Sequence, residues 1–225
     1  MTRILTILVS VLLVTLVAKP QLASADGSWL DGPPTDWNTA GMAIPQAPPR
    51  PAGTDPRCFD ALVVPDTAGK QAVLAAGWFL LTSPQSTTTS GNAEIVFGQS
   101  SADGMCRPAG YQAFVFVDGV FAGTLSPSLM ISRDDGALTQ ASVVSGDQIR
   151  AEYVRYTRQD PLCCPSAKST AAFEIVRTGG APVVHFVGAS TLPAGSPPTV
   201  APVPSPSPSP VRPPVQAPVQ LPRNG

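Results

Sequence analysis

Apolar residues fall along this chain in three patterns: an unbroken run near the amino terminus, short β-branched and aromatic runs through the middle, and isolated positions between prolines at the end. The middle carries the fold. Two β-rich runs within residues 105–125 flank Asp118-Gly119, and such a pair favours a type I′ turn because both central positions need φ > 0. A two-residue loop sets the register: Val117 faces Val120, Phe116 faces Phe121, Val115 faces Ala122 and Phe114 faces Gly123. Phe114, Phe116 and Phe121 then share one face, while Ala113, Val115, Val117 and Ala122 share the other, which predicts a central hairpin covered on both sides. Phe114 would cover the strand glycine opposite it.

Two further hairpins follow. Leu138–Ser145 and Gln148–Arg158 bracket Gly146-Asp147, placing Val144 opposite Ile149 and Ser142 opposite Ala151, with a bulge or bend near Tyr153 where the alternation reverses. Ala171–Arg177 and Pro182–Val187 join around Gly179-Gly180, and Pro182, which has no N–H to donate, argues for a sheet edge. Earlier, Asp66 or Thr67 is placed to cap a helix carrying Val73, Leu74, Gly77 and Trp78, Gly77 marking its end, and Glu94–Phe97 reads as a short strand. The predicted fold is α+β: one domain built from antiparallel hairpins, with one helix near its start.

Composition then divides the chain. Prolines number 27, too many for a compact body, and they gather near the ends. Residues 1–25 read as a signal peptide, with Arg3, an apolar run from Ile4 to Ala18, and Ala23-Ser24-Ala25 before Asp26 as the cleavage site. That run falls short of the ~20 residues a membrane span needs, so no transmembrane segment is expected in the mature chain. Residues 26–55 are expected to form an extended, mostly mobile Pro/Gly-rich linker. Trp29 and Trp37 stand oddly in it, either loosely packed or docked on the domain or a partner. The globular domain spans 56–190. Residues 191–225, with their Pro-Ser repeat, are expected to be a disordered polyproline II tail, a passive spacer or a wall-associated segment. Charged residues make up 13% and the net charge is −1, which argues against nucleic acid as a partner.

Export decides the chemistry of Cys58, Cys106, Cys163 and Cys164. In an oxidising compartment four cysteines are expected to form two disulfides. Neighbouring residues of an extended chain point to opposite faces, so Cys163 and Cys164 are expected to bridge separately, one to Cys58 and the other to Cys106. No Cys-x-x-Cys or His-x-His spacing supports a metal site, and no nucleotide or hydrolase signature appears, so neither metal nor cofactor is expected. The lone His185 falls opposite Glu174, a cross-strand polar pair or, less simply, an oriented general base. The connector 126–136 is the candidate binding loop. Ser126 and Ser128 supply hydroxyls, Arg133 a guanidinium, and Asp134 and Asp135 carboxylates, on a loop held by a rigid hairpin. Two adjacent carboxylates alone do not supply a calcium shell.

The run Met105-Cys106-Arg107-Pro108 through Leu125-Ser126-Pro127, the Ser132–Ala137 loop, and Tyr156 through Asp160-Pro161-Leu162-Cys163-Cys164-Pro165-Ser166 resemble the actinobacterial LppP/LprE lipoprotein family. The resemblance implies an exported envelope domain without an assigned reaction. Asp26, not cysteine, follows the cleavage site, so a lipid anchor there is not expected. The leading expectation is a non-enzymatic secreted or envelope module that binds an unknown ligand. A hydrolase-like enzyme using the 126–136 loop with His185, and a structural spacer, are the alternatives.

Overall fold

The structure, a computed structural model, describes residues 27–59, 63–81 and 91–195. The expected signal peptide, the loop around Ser86–Ser90 and nearly all of the Pro-rich tail lie outside the described residues.

Thr67 starts the helix α1, Ala68–Ala75, by accepting a hydrogen bond from the Lys70 amide on its hydroxyl. The helix stops where Gly77, at φ 87°, returns its amide to Leu74 O while Trp78 N reaches back to Val73 O. Both ends therefore lie where the sequence puts them, although the apolar spacing runs on past Ala75 into the two-residue strand β1, Phe79–Leu80.

The strands divide into two antiparallel sheets. The first has the order β1, β2 (Ala93–Ala102), β3 (Pro108–Val117), β4 (Val120–Thr124), with the short β5 (Met130–Ile131) also paired to β3. The second runs β6 (Leu138–Ser145), β7 (Gln148–Arg155), β8 (Ala167–Thr178), β9 (Ala181–Pro193). All three hairpins form. β9 closes one edge of its sheet, as Pro182 requires. The α+β reading holds, and the hairpins resolve into two sheets sharing one core.

The organising hairpin turns at Asp118 (φ 52°) and Gly119 (φ 76°), both left-handed. Val117 faces Val120 and Phe116 faces Phe121 as expected. Beyond them the register slips: Val115 faces Gly123 and Phe114 faces Thr124. The slip corrects the expectation that Phe114 covers Gly123. That glycine, at φ 139°, instead leaves room for Asn38, whose amide occupies the space a Cβ would take. The assignment of faces survives. Phe114 and Phe116 pack with Val73, Trp78 and Val96 beneath α1, with Phe121 at the margin. Ala113, Val115, Val117 and Ala122 face the second sheet, against Tyr153, Phe173 and Phe186. The helix and the residue leading into β1 approach so closely at Gly98 that an added Cβ would meet Val73 Cγ1 at 3.0 Å and Trp78 Cβ at 2.9 Å.

Two tyrosines bind the sheets to one another. Tyr111 Oη donates to Leu138 O at 2.8 Å, and Tyr153 Oη donates to Leu125 O. Burial pushes both phenols up, so they stay protonated donors.

The expected mobile linker is corrected. Leu30 and Asn38 are buried, and Trp29 and Trp37 wedge against Phe186, with Tyr153 beside the first and Phe173 beside the second. Asn38 Nδ2 donates to Thr124 O and Val184 O, joining a strand of each sheet, and its Oδ1 accepts from Thr124 N. Proline-rich composition sets the extended conformation, but apolar burial decides whether an extended segment lies down.

Candidate functional site

The loop 126–136 divides its five candidate residues between buried and exposed positions. Ser126 is buried, its hydroxyl bonded to Ser128 O at 2.7 Å, while Gln112 Nε2 holds Ser126 O at 3.0 Å and Ser128 O at 3.3 Å. Arg133 takes a left-handed φ of 70° in the turn after β5. Asp134 serves that turn through its backbone, its amide bonded to Ile131 O and its carbonyl to Ala137 N. Asp135 faces the other way and accepts from Arg155 Nε at 2.8 Å and from Tyr156 N at 2.9 Å. The Ser126 hydroxyl and the Asp135 carboxylate are thus spent on separate structural bonds, while Ser128, Arg133 and Asp134 are exposed.

Arg155 is the centre of that arrangement. It closes the inward row Ile149, Ala151, Tyr153 of β7, and its guanidinium meets Asp31 through two nitrogens at 2.8 and 2.6 Å, Ser169 Oγ at 3.0 Å and Thr191 Oγ1 at 3.2 Å. The hydrogen bond to Asp31 contributes most to raising the Arg155 pKa, and the same bond lowers that of Asp31. All three guanidinium nitrogens are engaged, so the arginine clasps the amino-terminal arm.

His185 does stand opposite Glu174 across β8 and β9. Its side-chain partner is a different carboxylate: Nδ1 lies 2.8 Å from Asp36 Oδ1 on the docked arm. Among the described residues no hydrogen bond joins His185 to Ser126, Ser128 or Asp135. No group of three or more His, Cys, Asp or Glu able to hold a metal occurs among them either.

The cysteine pairing is corrected outright. Cys58 bridges Cys106, and Cys163 bridges Cys164. The β2–β3 hairpin brings its turn back beside the 3₁₀ turn Pro56–Phe59, so Cys106 meets Cys58 with a Cα separation of 4.9 Å. Phe59 stacks on Phe79 there, with Arg50 over both rings at 4.2 and 4.3 Å. Cys163 and Cys164 sit in the β7–β8 connection of the other sheet. They form the second half of a turn in which Cys164 N bonds Pro161 O. The rule that neighbours point to opposite faces belongs to extended chain and does not govern a turn.

A concavity that no sequence pattern announced lies on the outer face of the second sheet. Val143 pairs with Ile149 and Ser145 with Gln148, so Val144 has no cross-strand partner and bulges out, 61% exposed. On the far side Phe173 pairs with Phe186 and Ala172 with Gly188, so Val187 is the spare residue of a second bulge, 54% exposed. The two valines stand as walls over a hollow of about 300 Å³, floored by Ala172 and lined by Gln148, Arg150 and Glu174. Neither Arg150 nor Glu174 makes an ion pair or side-chain hydrogen bond among the described residues. The adjacent Val143-Val144 and the Val187-Gly188 step were the available signals, because each interrupts a period of two.

Residues 86–178 match the family model described as LppP/LprE lipoprotein, the family the sequence resembles. The match takes in β2 to β8, and so both hairpins that frame the core and most of the hollow. No curated protein and no solved structure matches the chain. No helix among the described residues is long and apolar enough to cross a membrane.

Proposed function

We propose that this chain, with its LppP/LprE match over residues 86–178, is an exported, envelope-associated binding module without catalytic activity. Its binding surface is the hollow on the outer face of the second sheet. The Cys58–Cys106 bridge and the family match support export. Asp26 in place of cysteine after the small-residue junction supports release without a lipid anchor at that point.

One observation carries the binding reading. Two bulges on opposite edges of one sheet turn valines outward around a guanidinium and a carboxylate that have no side-chain partners among the described residues. Exposed β-branched side chains on a folded surface gain by being covered, and bulges commonly re-aim side chains for use. The hollow has apolar walls and an open Arg150, which suits a small amphipathic anion, its apolar part between Val144 and Val187 and its negative group on the guanidinium.

Titration of ¹⁵N-labelled protein with medium-chain carboxylates such as octanoate tests this. Amide shifts should concentrate at Val144, Arg150, Ala172 and Val187, and Arg150→Ala should weaken binding at least tenfold while leaving the spectrum folded. Shifts confined to the 126–136 loop, or none at millimolar ligand, would contradict the assignment.

A further inference from the structure

The two disulfides do different things to the chain. Cys58–Cys106 spans a sequence separation of 48 and ties the segment before α1 to the β2–β3 turn, so it cross-links parts of the fold that are otherwise free to separate. Cys163–Cys164 spans a separation of 1. A bond between residues already joined by a peptide removes almost no freedom from the unfolded chain and holds no two elements together. Its contribution to stability is therefore small, and its use must be sought in its chemistry.

The surrounding loop keeps its shape by bonds that do not involve sulfur. The Asp160 carboxylate accepts from Thr157 N at 2.8 Å, Thr157 Oγ1 at 2.9 Å and Ser166 N at 3.0 Å, closing the loop across its base. Tyr156 Oη donates to Leu162 O at 3.2 Å, Cys164 N to Pro161 O at 2.9 Å, and Ala194 N to Ser166 O at 2.9 Å. Both cysteines are exposed at the tip. Bridging neighbours closes an eight-membered ring around a planar amide, which opposes closure and leaves the bond open to exchange. We propose that Cys163 and Cys164 are a reversible dithiol–disulfide couple, an exchange site whose co-reactant is a low-molecular-weight thiol.

The chemistry balances without any further group. A thiolate RS⁻ attacks one sulfur of the pair, a new S–S bond to R forms as the Cys163–Cys164 bond breaks, and the other cysteine leaves as a thiolate. A second RS⁻ attacks the R-bearing sulfur of the mixed disulfide, releasing RSSR and the second cysteine thiolate, and both cysteine thiolates take protons from water. Two thiols are oxidised to one disulfide while the pair gains two electrons. The reverse sequence closes it again. Because the released thiolate is next in the chain to the mixed disulfide, it can attack that bond without diffusing, and the mixed species is short-lived.

The experiment equilibrates the intact exported chain in glutathione buffers of graded reduced-to-oxidised ratio, then quenches, alkylates and maps peptides by mass. The peptide holding Cys163 and Cys164 should gain two alkyl groups at a ratio at least tenfold less reducing than opens Cys58–Cys106. The change should reverse when the ratio is restored, with an unchanged near-UV circular dichroism spectrum. Cys163→Ser should carry glutathione on Cys164, which identifies by mass the mixed disulfide through which exchange passes. The proposal is overturned if both bridges open at the same ratio, if opening Cys163–Cys164 unfolds the protein, or if the two cysteines of native exported protein are not bonded to one another. The double variant C163S/C164S should melt with the wild type, and a marked loss of stability would also overturn it.

Discussion

Single residues here are set by bonds that their neighbours in sequence do not announce. Asn38 is an ordinary linker residue by composition, yet its amide satisfies backbone groups of two sheets, and Gly123 leaves the space it needs. Asp160 shows the same at the surface. Hydrogen bonding from the Thr157 backbone, and then from Ser166, brings its carboxyl pKa down to about 2. A depressed folded-state value means its support of the loop is complete above the unfolded value of about 3.9 and is lost as pH falls through the folded value. In an NMR titration the amides of Thr157 and Ser166 should therefore move with a midpoint near 2. A midpoint near the ordinary carboxylate value would show that Asp160 does not brace the loop.

At the scale of elements, local rules decided where strands and helix begin and turn, and packing decided their register. Asp118 is left-handed at the hairpin turn, and its carboxylate accepts from Asn92 Nδ2 at 2.7 Å and from Arg177 Nη2 at 2.9 Å, so the turn is anchored to its surroundings. Gly119→Val should destabilise the protein by roughly 1–3 kcal/mol, because a β-branched residue resists positive φ. A Cβ at Gly119 would meet only Ala68 Cβ, at an ordinary 3.5 Å, so the effect isolates backbone strain from crowding. Equilibrium denaturation measures it, and an unchanged midpoint would mean the turn can adopt another form. The bulges at Val144 and Val187 lie beyond such rules. Both depend on which residues of the neighbouring strand need the core, and that is a property of the sheet.

For the whole molecule the consequential feature is the arm. Trp29 and Trp37 meet edge to face with centroids 5.2 Å apart and cover the end of the core between the sheets. Asp31 on Arg155 and Asp36 on His185 hold the segment on either side. Trp37→Ala should cost about 3 kcal/mol, somewhat under a full core deletion because the ring is only part-buried. It should also release the amides of residues 30–40 to faster hydrogen exchange. Wild-type stability in that variant would return the arm to the role of a passive linker. The arm also explains why the hydrophobic content of 56–190 alone underestimates the domain: the core between the sheets is finished by residues that precede it.

Sequence by itself determined the local decisions: the left-handed turn at Asp118-Gly119, a cap at Asp66 or Thr67, the stop at Gly77, three hairpins and the two faces of β3. Each depends on backbone sterics or on the period of side chains within a few residues, and these act the same way in any surroundings. The cysteine pairing, the docking of residues 27–47, the slips of register and the hollow between Val144 and Val187 were decided by the tertiary structure. Each is a choice between partners distant in the chain, or turns on a bend that a linear pattern does not carry. Cys106 found Cys58 because a hairpin returned it there, and Cys163 found Cys164 because the chain between β7 and β8 turns where an extended reading would have kept it straight.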